Sequence, residues 1–356
     1  MSRLSISGFL LAAAFCAIAA PASALDCKAA ASKAEKAICA DPAALAADSE
    51  MSKAYGALHG LLDAKQHAAL IKSQVQWLTE RDGACFEKKD AELSSCLTEQ
   101  SNERRLFLSG GAPAGPGYPG KLIPAFRIEP GGKGRTDIDI EVLKFPAPAN
   151  AGERAFNVAV DKLSGDIVQP EKEDAQRDDY AYSWKMHLVY ASPRLLSAHA
   201  DGYSSTGGAH PNSYSHDINI DLTTGREATF DSLLDKAGAE KIFALCLDQV
   251  VADRKSREGA DGDLDAEGLK TLRKDIATAT GALNTWRFGA EAADVSYDPY
   301  AVGSYVEGDF TCKIPYAILR PLANPGFPLP SKIIARRPPD SSGRRFRPAC
   351  PVPCGS

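Results

Sequence analysis

The chain has few of the patterns that usually carry catalysis. It contains no Cys-x-x-Cys pair, no His-Glu-x-x-His helix, no nucleophile elbow and no phosphate-cradling glycine loop. Their absence removes the usual signatures of a structural zinc site, a metalloprotease, an α/β-hydrolase and a P-loop enzyme. Aspartate and glutamate are plentiful, but carboxylates without a defined separation do not make a glycosidase pair. The expectation is a binding protein without a cofactor, not an enzyme.

Long hydrophobic runs are also missing, with one exception at the start. Arg3, the apolar stretch 9–20 and the small residues Ala22, Ser23 and Ala24 form a secretory signal, with cleavage expected after Ala24. The run is shorter than the roughly 20 residues of a spanning helix, and Pro21 breaks it. Bulky Phe15 before Cys16 argues against a lipid anchor. The chain is expected in the periplasm or secreted, with no membrane span after cleavage.

Of the 9 cysteines, Cys16 leaves with the signal, and the rest are even in number: Cys27, Cys39, Cys85, Cys96, Cys246, Cys312, Cys350 and Cys354. Export and an even count predict disulfides. Loss of Arg3 leaves 40 basic against 46 acidic residues, a net charge of about −6, which opposes non-specific nucleic-acid binding. The tail, with Lys332, Arg336, Arg337, Arg344, Arg345 and Arg347 against Asp340, is basic, so the body before it is more acidic than the total. Such a body favours basic partners.

The Gly- and Pro-rich run 109–120 reads as a linker. Before it, in 25–108, Met51, Tyr55, Leu58 and Leu62 recur at helical spacing, as do Leu70, Trp77 and Leu78, and Asp41-Pro42 is a helix start. Three to four helices in a small bundle are expected. If Cys27 and Cys39 flank one helix they lie ~18 Å apart, beyond the about 7 Å a bridge allows. Each must then reach Cys85 or Cys96 unless that helix is broken.

Residues 121–330 change to short alternating runs. Strands are expected at 154–160, 183–190, 194–203 and 214–222, a helix at 236–254, a short helix at 269–278, and strands near 286–288 and 310–314. This order predicts an α+β domain with a largely antiparallel sheet, in which Cys246 pairs with Cys312. The fold class is therefore multi-domain: a small disulfide-stapled all-α unit, the α+β domain, and a Pro-rich tail at 331–356. Cys350 and Cys354 close a tiny loop there or pin the tail elsewhere.

Asp26-Cys27, the run 35–42 from Glu35 to Pro42, Asp48, Tyr55, and Gln74, Trp77-Leu78, Arg81-Asp82 and Cys85 resemble the N-terminal domain of LprI-type lysozyme inhibitors. The residues themselves read mainly as structure: staples, a core around Tyr55 and Trp77, and an Asp48–Arg81 ion pair. The segment 203–212, with Tyr203, Ser205, Thr206, Gly207, Gly208, His210 and Asn212, resembles the extracytoplasmic domain shared by the anti-sigma factor RsiV and PdaC-type deacetylases. So do the strand 218–222, Tyr297-Asp298-Pro299-Tyr300 and Ile314-Pro315-Tyr316. RsiV's membrane helix and any deacetylase domain are missing, which leaves binding.

The resemblances imply a lysozyme-like muramidase as protein partner, with residues 203–212 as the contact loop. The alternatives are a cell-wall glycan-binding module that meets peptidoglycan, and a metal hydrolase at His210. A metal site from His210, His216 and Asp217 is disfavoured, because neighbouring strand residues point to opposite faces. His187 and His199 read as strand-surface residues.

Overall fold

The computed structural model describes residues 25–331 except 166, 171–173, 175–178 and 259–263. The expected signal and the tail beyond 331, with Cys350 and Cys354, lie outside the described residues.

The first helices are set by their caps. Ser32 and Glu35 form a capping box that opens α1 (Lys33–Ala40). Asp41 accepts from the backbone of Ala43 and Ala44, and Pro42 occupies the first turn of α2 (Pro42–His59). Asp63 opens α3 (Ala64–Ala84), and α4 (Asp90–Ser109) ends at Gly110 in a left-handed conformation. Ala34, Ile38, Ala44, Cys85, Leu93 and Leu97 make the small core of this end.

The bridges correct the expected pairing of this unit. Cys27 joins Cys39 with Cα atoms 5.5 Å apart, and Cys85 joins Cys96 at 5.9 Å. The expectation failed because it put helix between the cysteines. A turn at 26–29 folds the chain back before α1 begins at Lys33, so Cys27 lies beside the helix. Cys85 caps α3, and the short turn after it brings α4 and Cys96 alongside.

The remaining elements are β1 (Ile123–Glu129), β2 (Asp137–Lys144), α5 (Ala151–Ser164), β3 (Ala181–Ala191), β4 (Leu195–Ser205), β5 (Asn212–Asp221), β6 (Arg226–Glu227), α6 (Phe230–Leu233), α7 (Lys236–Glu258), α8 (Ala266–Thr280), β7 (Trp286–Phe288), β8 (Ala292–Tyr297), β9 (Phe310–Pro315) and α9 (Tyr316–Leu319). Strands β1 to β6 form one sheet in sequence order, antiparallel except for β2 with β3. Strands β7 to β9 form a second, antiparallel sheet. Cys246 of α7 bridges Cys312 of β9.

Residues 154–160, expected as a strand, are helical in α5. Their short alternation is part of a longer helical spacing in which Phe156, Ala159 and Val160 are buried, and Asn150 caps the start through the Glu153 amide. Topology also demands it: parallel β2 and β3 need a crossover, which α5 supplies.

The run 109–120 lies against the end of β3. Ala191 and Ala114 share a backbone bond of 3.0 Å, and Gly117 donates to Ala191. At Gly115, with φ +96°, a Cβ would sit 2.0 Å from the Ala191 carbonyl oxygen. Met51, Leu58, Leu70 and Phe107 of the helical unit share one hydrophobic cluster with β1 to β5 and α5. A second cluster fills the space between α7, α8 and the small sheet.

Candidate functional site

Side chains alternate across a strand, and the large sheet sorts them sharply. Ile138, Ile140 and Val142 of β2, Trp184, Met186 and Leu188 of β3, Ala198 and Ala200 of β4, and Ile218 and Ile220 of β5 join the cluster that contains α5. The opposite face is polar: Asp139 and Glu141, Lys185 and His187, Ser197, His199 and Asp201, Asp217 and Asn219. Buried polar groups need partners. Here two different bodies supply them.

Over β2 and β3 the partners come from α3 and α4. Arg104 binds Glu141 at 2.7 Å, Ser73 at 2.5 Å and Gln74 at 3.1 Å. Lys185 binds Glu141 at 2.6 Å and also Asp139, which accepts from Gln76 at 2.7 Å. Burial would push the Glu141 carboxyl up, but Arg104 and Lys185 hold it below its ordinary value. The Trp77 ring is half-buried, with guanidinium groups of Arg81 and Arg104 at 5.2 and 5.6 Å from its centroid. Arg81 reaches Asp48 at 3.5 Å, the helix-to-helix pair expected.

Over β4 and β5 the partners come from the small sheet. Asn219 donates to the carbonyls of Leu283 and Trp286, and Ser197 accepts from the Phe288 amide. His199 is 4% exposed, not a surface residue as the sequence suggested. Its Nδ1 lies 2.8 Å from Asp217 and its Nε2 3.2 Å from Asp201. Burial would lower its pKa, but the two carboxylates outweigh that and raise it to about 9. Both nitrogens are occupied by carboxylates, so the ring is a cross-strand clamp and offers no base to a nucleophile.

That clamp predicts a pH dependence. A folded-state pKa near 9, above the ordinary ~6.5, stabilises fully below about 6.5 and is lost as pH rises through about 9. Chemical denaturation at pH 6.5 and pH 10 should differ by on the order of 3 kcal/mol more in the parent than in His199→Gln. Equal differences in the two proteins would remove the clamp.

The hairpin of β4 and β5 carries the sequence-predicted contact residues beyond the sheet. Ser204 and Asn212 make its last pair. Tyr203, Thr206, Gly207, Gly208, His210 and Asn212 are exposed and Ser205 is half-buried. Gly207 has φ +75°, a turn conformation that suits glycine. The loop is lashed to residues 298–305. His210 stacks on Tyr305 at 3.8 Å between centroids, and its Nε2 lies 3.2 Å from the Tyr300 hydroxyl. Tyr305 donates to the Pro211 carbonyl at 3.0 Å, and Asp298 accepts from the Ser215 amide and hydroxyl at 2.8 Å each. Sequence reasoning found this loop and the 297–300 segment separately, not their contact.

His210, His216 and Asp217 are not brought together: His216 Nδ1 lies 3.4 Å from Asn284 Nδ2, His210 stacks on Tyr305, and Asp217 is taken by His199. Among the described residues no group of three or more His, Cys, Asp or Glu could hold a metal ion. The polar sheet face was the missed signal. It stands in the sequence as Asp139-Ile140-Glu141, Lys185-Met186-His187-Leu188, His199-Ala200-Asp201 and Asp217-Ile218-Asn219-Ile220, apolar and polar residues in strict alternation.

The motif residues Gln74 and Trp77 thus sit where the helical unit meets the sheet, and Arg81 ties α3 to Asp48 of α2. Residues 27–108 match the family Lysozyme inhibitor LprI. The LprI-type segment is therefore the helical unit with its two bridges. No curated protein matches the chain. Two solved structures similar to it are DUF3298-family proteins. The one from Bacteroides fragilis NCTC 9343 has 15% identity and a TM-score of 0.41, covering 57% of this chain and 93% of that one. The one from Pseudomonas aeruginosa PAO1 has 19% identity and a TM-score of 0.42, covering 59% and 96%. The three disulfides among the described residues fit an oxidising, extracytoplasmic setting, and no helix among those residues is long and apolar enough to cross a membrane.

Proposed function

We propose that this protein is a periplasmic inhibitor of a lysozyme-like muramidase, binding the enzyme through the 203–212 hairpin and blocking its substrate cleft. The observation that carries the reading is the lashing of an exposed hairpin to a neighbouring loop: His210 on Tyr305, Tyr305 on Pro211 and Asp298 on Ser215. A loop held in place before contact loses less conformational freedom on binding. The match of residues 27–108 to Lysozyme inhibitor LprI and the resemblance of the hairpin to the RsiV-type domain favour the same enzyme class. The acidic body would draw a basic enzyme over distance, an attraction that salt screens.

The test is calorimetric titration of the oxidised chain with a c-type lysozyme at low and moderate salt, alongside a cell-wall lysis assay. Binding that weakens with salt and slows lysis is expected. His210→Ala should weaken it roughly tenfold, the range of a central contact residue, without moving the thermal midpoint. Unslowed lysis by several muramidases would end the proposal.

A further inference from the structure

Two bodies cover the polar sheet face, α3 and α4 over β2 and β3 and the small sheet over β4 and β5. Between them runs a trough whose floor is the polar stripe of β3 and β4. One part, about 480 Å³, has Trp77, Glu80 and Gln100 of the helical unit as its wall. The other, about 640 Å³, is walled by the hairpin and the small sheet. Lys185 and Asp201 line both, so the parts are continuous. Each part alone is within the about 300–1,000 Å³ of small-ligand sites, and together they suit a linear molecule better than a compact one.

The larger part mixes three chemistries. Tyr203 and Tyr305 supply ring surface. Asp201, whose side chain is 67% exposed, gives one oxygen to His199 and keeps the other toward solvent, while exposed Asp309 stands across the cavity. Arg287 reaches Asp294 only at 3.9 Å, so its guanidinium retains donors for a ligand. Rings that stack on the apolar faces of sugar rings, carboxylates that accept from hydroxyls, and an arginine that forks onto a carboxylate describe one ligand class. A purely basic peptide would be opposed by Arg287, and a neutral glycan would leave it unused.

We propose that this trough binds an oligosaccharide that carries a carboxylate, with Arg287 on the carboxylate and Asp201 and Asp309 on hydroxyls. The proposal is separable from muramidase binding, because Arg287, Asp201 and Asp309 lie outside the 203–212 hairpin.

The probes are the GlcNAc–MurNAc disaccharide, which bears a lactyl carboxylate, and neutral chitobiose, each titrated by NMR or calorimetry into the oxidised full chain with no muramidase present. The acidic sugar should bind at least about tenfold tighter than chitobiose, the value of a hydrogen bond to a charged group. Arg287→Gln should abolish that preference, and Asp309→Asn, at an exposed site, should weaken both sugars while the fold stays intact. Failure of the acidic sugar to bind, or binding that neither substitution changes, would overturn the proposal. Preferential binding of an arginine-rich peptide in the same trough would overturn it in favour of a protein ligand.

Discussion

Replacing Arg104 with alanine is expected to lower the unfolding free energy by about 3–5 kcal/mol, the range for removing one member of a buried ion pair. Arg104 and Glu141 have side chains 5% and 4% exposed. The substitution leaves Glu141 in the interior with Lys185 alone, and deprives Ser73 and Gln74 of their donor. The loss should therefore come mainly from stranded polar groups, not from the attraction itself. A second variant separates the two: Arg104→Met with Glu141→Leu removes both charges and should recover most of the loss. Denaturant titration of the two proteins decides the matter. A cost below about 1 kcal/mol for Arg104→Ala would mean that water reaches Glu141 and that this contact does not fix the helical unit to the sheet.

The double variant Cys246→Ala/Cys312→Ala is expected to cost about 4 kcal/mol, against about 3 for removing either short bridge of the helical unit, on the loop-entropy account. The difference follows from sequence separation: 66 residues between Cys246 and Cys312, 12 and 11 in the other two pairs. Both sulfurs are fully buried between α7 and β9, so two alanines also leave a small void that adds to the loss. The bridge closes the chain around the whole segment that contains α8, β7 and β8, so its loss loosens the scaffold that carries Tyr300 and Tyr305. Thermal and denaturant unfolding of oxidised protein measure it. A double variant as stable as the parent, or less affected than a Cys85→Ala/Cys96→Ala variant, would contradict the loop-entropy reading.

The pattern of success and failure in the sequence has a common cause. Asp41 and Pro42 act over three or four positions, so the start of α2 was legible, whereas the capping box of Ser32 and Glu35 that opens α1 was not read. Strands β3, β4, β5, β7 and β9 were legible because each alternates on its own. Strands β1, β2 and β8 were not expected. β2 is buried on both faces by α5 and by α3 and α4, and its buried Asp139 and Glu141 disguise it as a surface run. Residues 154–160 were misassigned because a short alternation fits both periods, and only the parallel neighbours β2 and β3 demand a helix there. The Cys27–Cys39 bridge was missed for a similar reason: the separation is prohibitive along a helix and ordinary across a turn.

The sequence by itself determined the helical first unit, the α+β character of the second domain, the disulfide chemistry and the hairpin at 203–212, since each depends on local periodicity, caps, turn residues or cysteine count. Tertiary structure alone decided that Arg104 answers Glu141 across 37 residues, that His199 lies between Asp217 and Asp201, and that His210 rests on Tyr305 from a loop far along the chain. The first two pairings bring distant ionisable groups, Arg104 with Glu141 and His199 with Asp217, out of water together. Their energies depend on burial and on partners from other elements, quantities that exist only once the two bodies have docked on the sheet.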